Sequence, residues 1–191
     1  MNLILASQSP RRRELLGLTG LDFVVRVADI DEPMDPARDP REEVARVSRM
    51  KAMAVARKPE DVVVAADTIV VCEGQVLGKP HSEDDAFRML SLLSGRDPQV
   101  MTGMTVVQGD EVIPHPAVPH LRFRNLLPEE IRAYIATGEP MDKAGAYGIQ
   151  GGAALFAEKM VGDYYNVMCL PVCRLWMTLA RMVPELMEEF V

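Results

Sequence analysis

Residues Val62 to Cys72 form a nearly continuous, β-branched apolar run in which only Asp67 and Thr68 are polar. Such a run reads as a strand in a packed interior. Glu73-Gly74 then turns the chain back through Gln75-Val76-Leu77, a hairpin signal. A carboxylate inside such a run is costly to bury unless it is paired or bound to a cation. Asp67 is therefore either a turn residue between two short strands or a functional carboxylate, a metal ligand or a general base at a strand end. The residue pattern leaves both readings open.

Around this run, strands alternate with helices. Leu3-Ile4-Leu5-Ala6 and Phe23 to Val27 read as strands, and between them Ser9-Pro10 caps and opens a helix ending at Gly17. Pro40 starts a helix carrying Val44, Val47, Ala54 and Val55, which Lys58-Pro59-Glu60-Asp61 stops. Ser82 caps another, ended by Ser94-Gly95, and Pro128 opens one that Gly138 closes. Val100 to Val107 and Leu121 to Phe123 are strand-like, separated by Gly109-Asp110 and a Pro-rich stretch from Pro114 to Pro119. Gly145, Gly148, Gly151 and Gly152 suggest a flexible loop before a strand from Ala153 to Ala157, and a last amphipathic helix begins near Pro171. The pattern indicates an α/β fold with a mixed β-sheet, expected as a single domain over residues 1–191.

Several function classes are excluded by charge and composition. With 21 Lys and Arg against 28 Asp and Glu, the net charge is −7, a poor match for stable nucleic-acid binding. No run reaches the length of a membrane span, and the N-terminus lacks the features of a signal peptide. Three cysteines at 72, 169 and 173 give no disulfide framework, and His81, His115 and His120 are too scattered to complete a zinc site. Reduced thiols and a cytoplasmic location are the default expectation.

Other residues break local rules. Arg11, Arg12 and Arg13 fall in the first turn of the first helix, where cations oppose the helix dipole. With Ser7 and Ser9 they form either an anion site or a solvated basic end. Lys79 lies in Gly78-Lys79-Pro80, where Pro stiffens the backbone. Lys51 lies mid-helix in an Ala-rich context, where simple surface solvation competes with function. Glu32 stands among Asp29, Asp31 and Asp35 and reads equally as part of a solvated acidic run. No Walker or Rossmann fingerprint is present. What remains is the kit for metal-assisted phosphoryl chemistry.

Taken together, Leu5-Ala6-Ser7-Gln8-Ser9-Pro10-Arg11-Arg12, Ala65-Ala66-Asp67-Thr68-Ile69-Val70, Gly78-Lys79-Pro80 and Leu93-Ser94-Gly95-Arg96 resemble the Maf family of nucleoside triphosphate pyrophosphatases. The block from Gly138 to Gly151, with Asp142-Lys143-Ala144-Gly145 at its centre, resembles it too and is the most specific of these motifs. The resemblance runs in order from residue 3 to about residue 175. It implies a mixed α/β fold of two lobes with a central nucleotide-binding cleft, of the Maf/ITPase-like kind, in a cytoplasmic homodimer. The implied reaction hydrolyses a nucleoside triphosphate to the monophosphate and pyrophosphate with a divalent cation, Mg²⁺, Mn²⁺ or Co²⁺.

Carried over by resemblance, Ser7, Arg11 and Arg12 contact the nucleotide, and Glu32, Lys51, Asp67 and Lys79 form the catalytic cluster. Asp67 is then the proton acceptor, with Glu32 and Asp67 facing the cation. Arg12, Thr68 and Gln150 resemble the branch acting on dTTP and UTP rather than the one acting on 7-methyl-GTP. A neutral Gln amide suits the O4 and N3–H edge of uracil or thymine. Three places depart from the family pattern: Pro98 for His, Pro119-His120 for a Thr-containing strand entry, and Cys169 for the usual Gly before Leu170-Pro171. Cys169 adds bulk at a tight spot beside the expected Tyr164-Tyr165-Asn166 loop. The alternatives are 7-methyl-GTP hydrolysis and a nucleotide-binding regulator of cell division without turnover.

Overall fold

The computed structural model describes residues 1–27, 30, 34–35, 37–55, 57–109 and 111–185. In chain order the elements are β1 (Leu3–Leu5), α1 (Pro10–Gly17), β2 (Phe23–Val25), α2 (Pro40–Ala54), β3 (Val62–Cys72), β4 (Gln75–Leu77) and α3 (Glu83–Leu93). There follow β5 (Gln99–Gln108), β6 (Glu111–Ala117), β7 (His120–Phe123), α4 (Pro128–Ile135), β8 (Ala157–Val161), α5 (Tyr164–Val167) and α6 (Val172–Met182). The strands join a mixed sheet in the order β2-β1-β3-β5-β7-β8, with β4 paired to β3 and β6 to β5. This is the α/β class with a mixed sheet that the alternation of elements predicts. No helix among the described residues is long and apolar enough to cross a membrane.

Two compact units divide the chain, and β3 and β5 contribute residues to both. The first comprises residues 1–67, 102–117 and 169–191. In it β1 runs parallel to β2 and to β3, with Leu3 opposite Phe23 on one side and Val62 on the other. Parallel neighbours need crossover connections, which α1 and α2 supply. Leu3, Ile4 and Leu5 are buried, as expected of a strand with a neighbour on each side. Ile4, Ala6, Val63, Ala65 and Val107 pack with Ala52 and Val55 from the end of the α2 segment.

Helix α2 starts where the sequence says it should. Asp39 caps it by accepting from the Arg41 N–H at 2.8 Å, and Pro40 occupies the first helical position. Glu43 in its first turn is buried yet ionic: Arg46 donates Nε to Oε2 at 3.0 Å and Nη2 to Oε1 at 2.5 Å. The Asp35 N–H adds a bond at 2.9 Å. The Arg46 bonds, opposed by burial and helped by Asp35, lower the Glu43 pKa to about 2. One turn further along, the Ser48 hydroxyl meets Thr105 Oγ1 of β5 at 2.7 Å.

The second unit comprises residues 68–101 and 118–168. Its core gathers Val70 and Cys72 of β3, Leu77 of β4, Leu90 and Leu93 of α3, Phe123 of β7 and Tyr134 of α4, among others. Two edge-to-face aromatic pairs tie it together, Phe123 with Tyr147 at 5.1 Å and Tyr134 with Phe156 at 5.2 Å between ring centres. Ser82 caps α3 by accepting from the Asp85 N–H, as its position predicts. Glu130 in the first turn of α4 accepts from the Leu127 N–H and from both Nη atoms of Arg124. Those bonds lower its pKa to about 2.

The structure corrects the sequence reading at five places. Asp67 is not a turn residue, because β3 runs unbroken through it. The Pro-rich stretch is not simply a separator, since residues 111–117 form β6, antiparallel to β5. Pro114 and Pro116, two apart, face Thr105 and Gly103. On a strand with a single partner, alternate residues need no N–H toward the ladder, so proline is tolerated there. The glycine-rich segment is organised into 3₁₀ turns at Glu139–Asp142, Ala144–Ala146 and Gly152–Leu155, and the strand expected at 153–157 begins only at Ala157. Tyr164–Val167 is a short helix, not a loop, capped by Asp163. Lys51 is not mid-helix but in the last turn of α2.

Candidate active site

In the first unit, the turn between β1 and α1 folds its polar side chains inward. The Ser9 hydroxyl caps α1 by accepting from the Arg12 N–H at 3.4 Å, and the Ser9 N–H donates to Ser7 Oγ at 3.2 Å. Arg12 does not reach into solvent. It is buried, with Nη1 donating to Ser7 Oγ at 3.3 Å and Nε donating to the Cys169 carbonyl at 3.1 Å. Arg11 is half-buried and Arg13 exposed. A buried guanidinium, a hydroxyl and the first N–H groups of a helix converge on one turn, which is a setting for an anion.

Cys169 was the partner that sequence reasoning missed. It holds a φ of 96°, in the left-handed region where a side chain is strained at roughly 1–3 kcal/mol. Its thiol lies 3.9 Å from the Ser9 hydroxyl. The one available signal was its departure from the family's glycine, which this φ would suit.

The same unit brings Lys51 and Asp67 together. Lys51 Nζ donates to Asp67 Oδ1 at 2.8 Å, with the two side chains 12% and 16% exposed. A lysine in the last turn of α2 also suits the helix dipole. The pairing answers why a carboxylate is tolerated within β3, and its residual exposure leaves it accessible to a ligand. Glu32 lies outside the described residues.

In the second unit, Thr68 is partly exposed, and Lys79 and Gln150 are exposed. The Gly145 N–H donates to the Gly78 carbonyl at 2.9 Å, which fastens the Gly78-Lys79-Pro80 turn to the Asp142–Gly151 block. Around Gln150 the backbone is held by Tyr134 and Glu139. The Gly148 N–H donates to Tyr134 Oη at 3.0 Å, Tyr134 Oη donates to Glu139 Oε1 at 2.9 Å, and the Gly152 N–H donates to Glu139 Oε2 at 3.1 Å. Burial, together with the neighbouring Glu139, pushes the Tyr134 phenol well above its ordinary value, so it stays a donor. Neither residue was singled out from sequence. An acid before a proline looks like any helix start, and only the fold joins it to a tyrosine five residues back.

Among the described residues no group of three His, Cys, Asp or Glu side chains gathers as a metal cluster. Mg²⁺ commonly takes one or two protein carboxylates and keeps several waters, so it does not require such a cluster. The Asp67 carboxylate, partly exposed beside Lys51, is an oxygen donor of the kind such a cation takes.

The family profile described as "Maf-like protein" matches residues 2–182. A protein of Geotalea uraniireducens named dTTP/UTP pyrophosphatase is 50% identical over 184 residues, covering 95% of each chain. One of the same name from Symbiobacterium thermophilum is 52% identical over 173 residues, covering 90% of this chain and 89% of its own. Among solved structures, a nucleoside-triphosphatase, dITP/XTP pyrophosphatase, of Mycobacterium abscessus aligns at a TM-score of 0.42 and 12% identity. It covers 66% of this chain and 76% of that one.

Proposed function

The chain belongs to the Maf family, and from that premise we propose that it hydrolyses dTTP and UTP to the monophosphate and pyrophosphate, with residues 1–191 acting as one catalytic domain. Relatives named dTTP/UTP pyrophosphatase at about half identity over nearly the whole chain support the substrate class. The observation that carries the chemistry is the bond at 2.8 Å from Lys51 of α2 to Asp67, which with Thr68 interrupts the apolar run of β3.

In this reading Asp67 takes a proton from the attacking water, whose oxygen bonds to the α-phosphorus. The bond to the α,β-bridging oxygen breaks, and pyrophosphate leaves with that electron pair. Lys51 orients the carboxylate and, with Lys79, Arg11 and Arg12, offsets the charge gathering on the phosphate oxygens. Ser7 holds Arg12 and faces the same anion. Asp67 and Glu32 are the residues that would hold a divalent cation, Mg²⁺ first, with Mn²⁺ and Co²⁺ as other candidates. When bound there it supplies charge neutralisation and orientation of the triphosphate. Arg12, Thr68 and Gln150 select the pyrimidine. The reading extends to a homodimer working in the cytoplasm, with no stable nucleic-acid or membrane partner.

The test is product release from dTTP, UTP, CTP, GTP and 7-methyl-GTP with Mg²⁺, separating pyrophosphate from phosphate. Pyrophosphate from dTTP and UTP, falling at least about a hundredfold in Asp67→Asn with nucleotide binding retained, is the expected result. Unchanged turnover in that variant would remove Asp67 from the chemistry. Turnover of 7-methyl-GTP instead would overturn the pyrimidine assignment, and tight binding without turnover would make the protein a regulator.

A further inference from the structure

We propose that Glu139 is a positioning residue for base selection: its carboxylate, with Tyr134, sets the backbone from which Gln150 is presented. The premise is that Gln150 reads the base, as in the function proposed above.

The two oxygens of one carboxylate hold both ends of the segment Gly148-Ile149-Gln150-Gly151-Gly152. Oε2 accepts directly from the Gly152 N–H at 3.1 Å. Oε1 accepts from Tyr134 Oη at 2.9 Å, and that oxygen in turn accepts from the Gly148 N–H at 3.0 Å. Gln150 lies midway between these anchors.

The glycines show how closely the segment wraps the carboxylate. A Cβ at Gly151 would lie 2.1 Å from Glu139 Oε1, and one at Gly148 would lie 2.8 Å from the same oxygen. Both positions flank Gln150 and leave the space of a side chain to the carboxylate. Glu139 is itself pinned at the backbone, its carbonyl accepting from Lys143 Nζ at 2.6 Å and its N–H donating to Thr137 Oγ1 at 3.2 Å. Lys143 Nζ also donates to Asp142 at 2.7 Å. The Asp142-Lys143 pair, prominent in the sequence, thus braces the residue that braces the specificity segment.

A carboxylate accepts at both oxygens, whereas an amide accepts at only one. Glu139→Gln keeps the shape but turns one of the two acceptors into a donor; Glu139→Ala loses both and opens a void. The measurement is kcat and KM for dTTP, UTP, CTP and GTP in Glu139→Ala, Glu139→Gln, Tyr134→Phe, Gln150→Ala and Glu139→Ala/Gln150→Ala, with thermal unfolding of each. Positioning predicts that Glu139→Ala raises KM for dTTP about tenfold, the upper end of what a hydrogen bond between neutral groups such as the Gln150 amide and the base is worth, with a smaller change in kcat. Its dTTP preference should fall toward that of Gln150→Ala, Glu139→Gln should recover part of it, and the double variant should be no less selective than Gln150→Ala alone.

If Glu139→Ala only lowers the melting temperature and keeps wild-type selectivity while Gln150→Ala loses it, Glu139 is structural and the inference is overturned with Gln150 intact. If Gln150→Ala keeps selectivity as well, the premise itself is overturned. Should Glu139→Ala fail to fold, Glu139→Gln and Tyr134→Phe decide by the same ratio.

Discussion

Gly103 of β5 lies against the backbone of α2, and replacing it with alanine tests how that helix is seated. The added Cβ would stand 2.3 Å from the Val44 carbonyl oxygen, 2.4 Å from its carbon and 2.7 Å from the Ala45 nitrogen. All three are main-chain atoms, so no rotamer change relieves the clash. Comfortable contact needs about 3.5 Å, so the helix must retreat by about 1 Å. Overpacking of this kind costs about 1–3 kcal/mol, or roughly 2–12 °C of melting temperature in a chain of this size. The retreat also strains the buried Ser48–Thr105 hydroxyl contact at 2.7 Å. Lys51 rides on the same helix and meets Asp67 at 2.8 Å. A displacement of about 1 Å there should lower turnover about a hundredfold. Thermal unfolding and pyrophosphate release on purified Gly103→Ala measure the two effects separately. A wild-type melting temperature would refute the close seating of α2, and lowered stability with full turnover would refute the coupling of that seat to Lys51.

Two more predictions concern stability. Cys169→Gly should raise the melting temperature by roughly 2–4 °C, because relief of strain at φ 96° outweighs the added freedom of glycine in the unfolded chain by about 1 kcal/mol; Cys169→Ala, which keeps the Cβ, should bring no such gain, and an unstabilised glycine variant would contradict the strain. Glu43 and Glu130 hold folded-state pKa values of about 2 against an ordinary 4.5. A lowered folded pKa stabilises fully above 4.5 and loses that contribution as pH falls toward 2. Melting temperature should therefore drop across that window, and Glu43→Gln should be less stable at pH 7 yet converge on wild type near pH 2. Parallel acid limbs in the two proteins would count against the Arg46 pairing as its cause.

Two of the candidate site residues were legible because they break local rules. Asp67 stands out in an apolar run, and Arg12 stands out in a helix turn that disfavours it. What local pattern hid was the contact each of them makes. By local pattern Lys51 also read as a solvated lysine, because the fold brings the last turn of α2 beside β3, and only the family resemblance set it in one cluster with Asp67. Arg12 finds its carbonyl 157 residues away, at a position where only its replacement of glycine hinted at unusual backbone. The strand β6 was obscured by prolines that ordinarily interrupt ladders, and the segment around Gln150 looked loose because its order comes from Glu139 and Tyr134. Local pattern reports periodicity and misfit; it does not report which distant side chain resolves the misfit.

The prolines of β6 carry a further consequence, for how copies of this chain can meet. Pro114 and Pro116 alternate along a strand that, among the described residues, pairs with β5 alone, so two of the positions that would offer N–H groups outward offer none. An incoming strand would find acceptors there without the donors to match, and the sheet ends at that edge. Exchanging both prolines for threonine would leave every bond to β5 in place while giving the edge its missing donors. The expected result is a protein that folds as before and associates edge to edge as its concentration rises, so that the two prolines act less on the fold of one molecule than on the solubility of many.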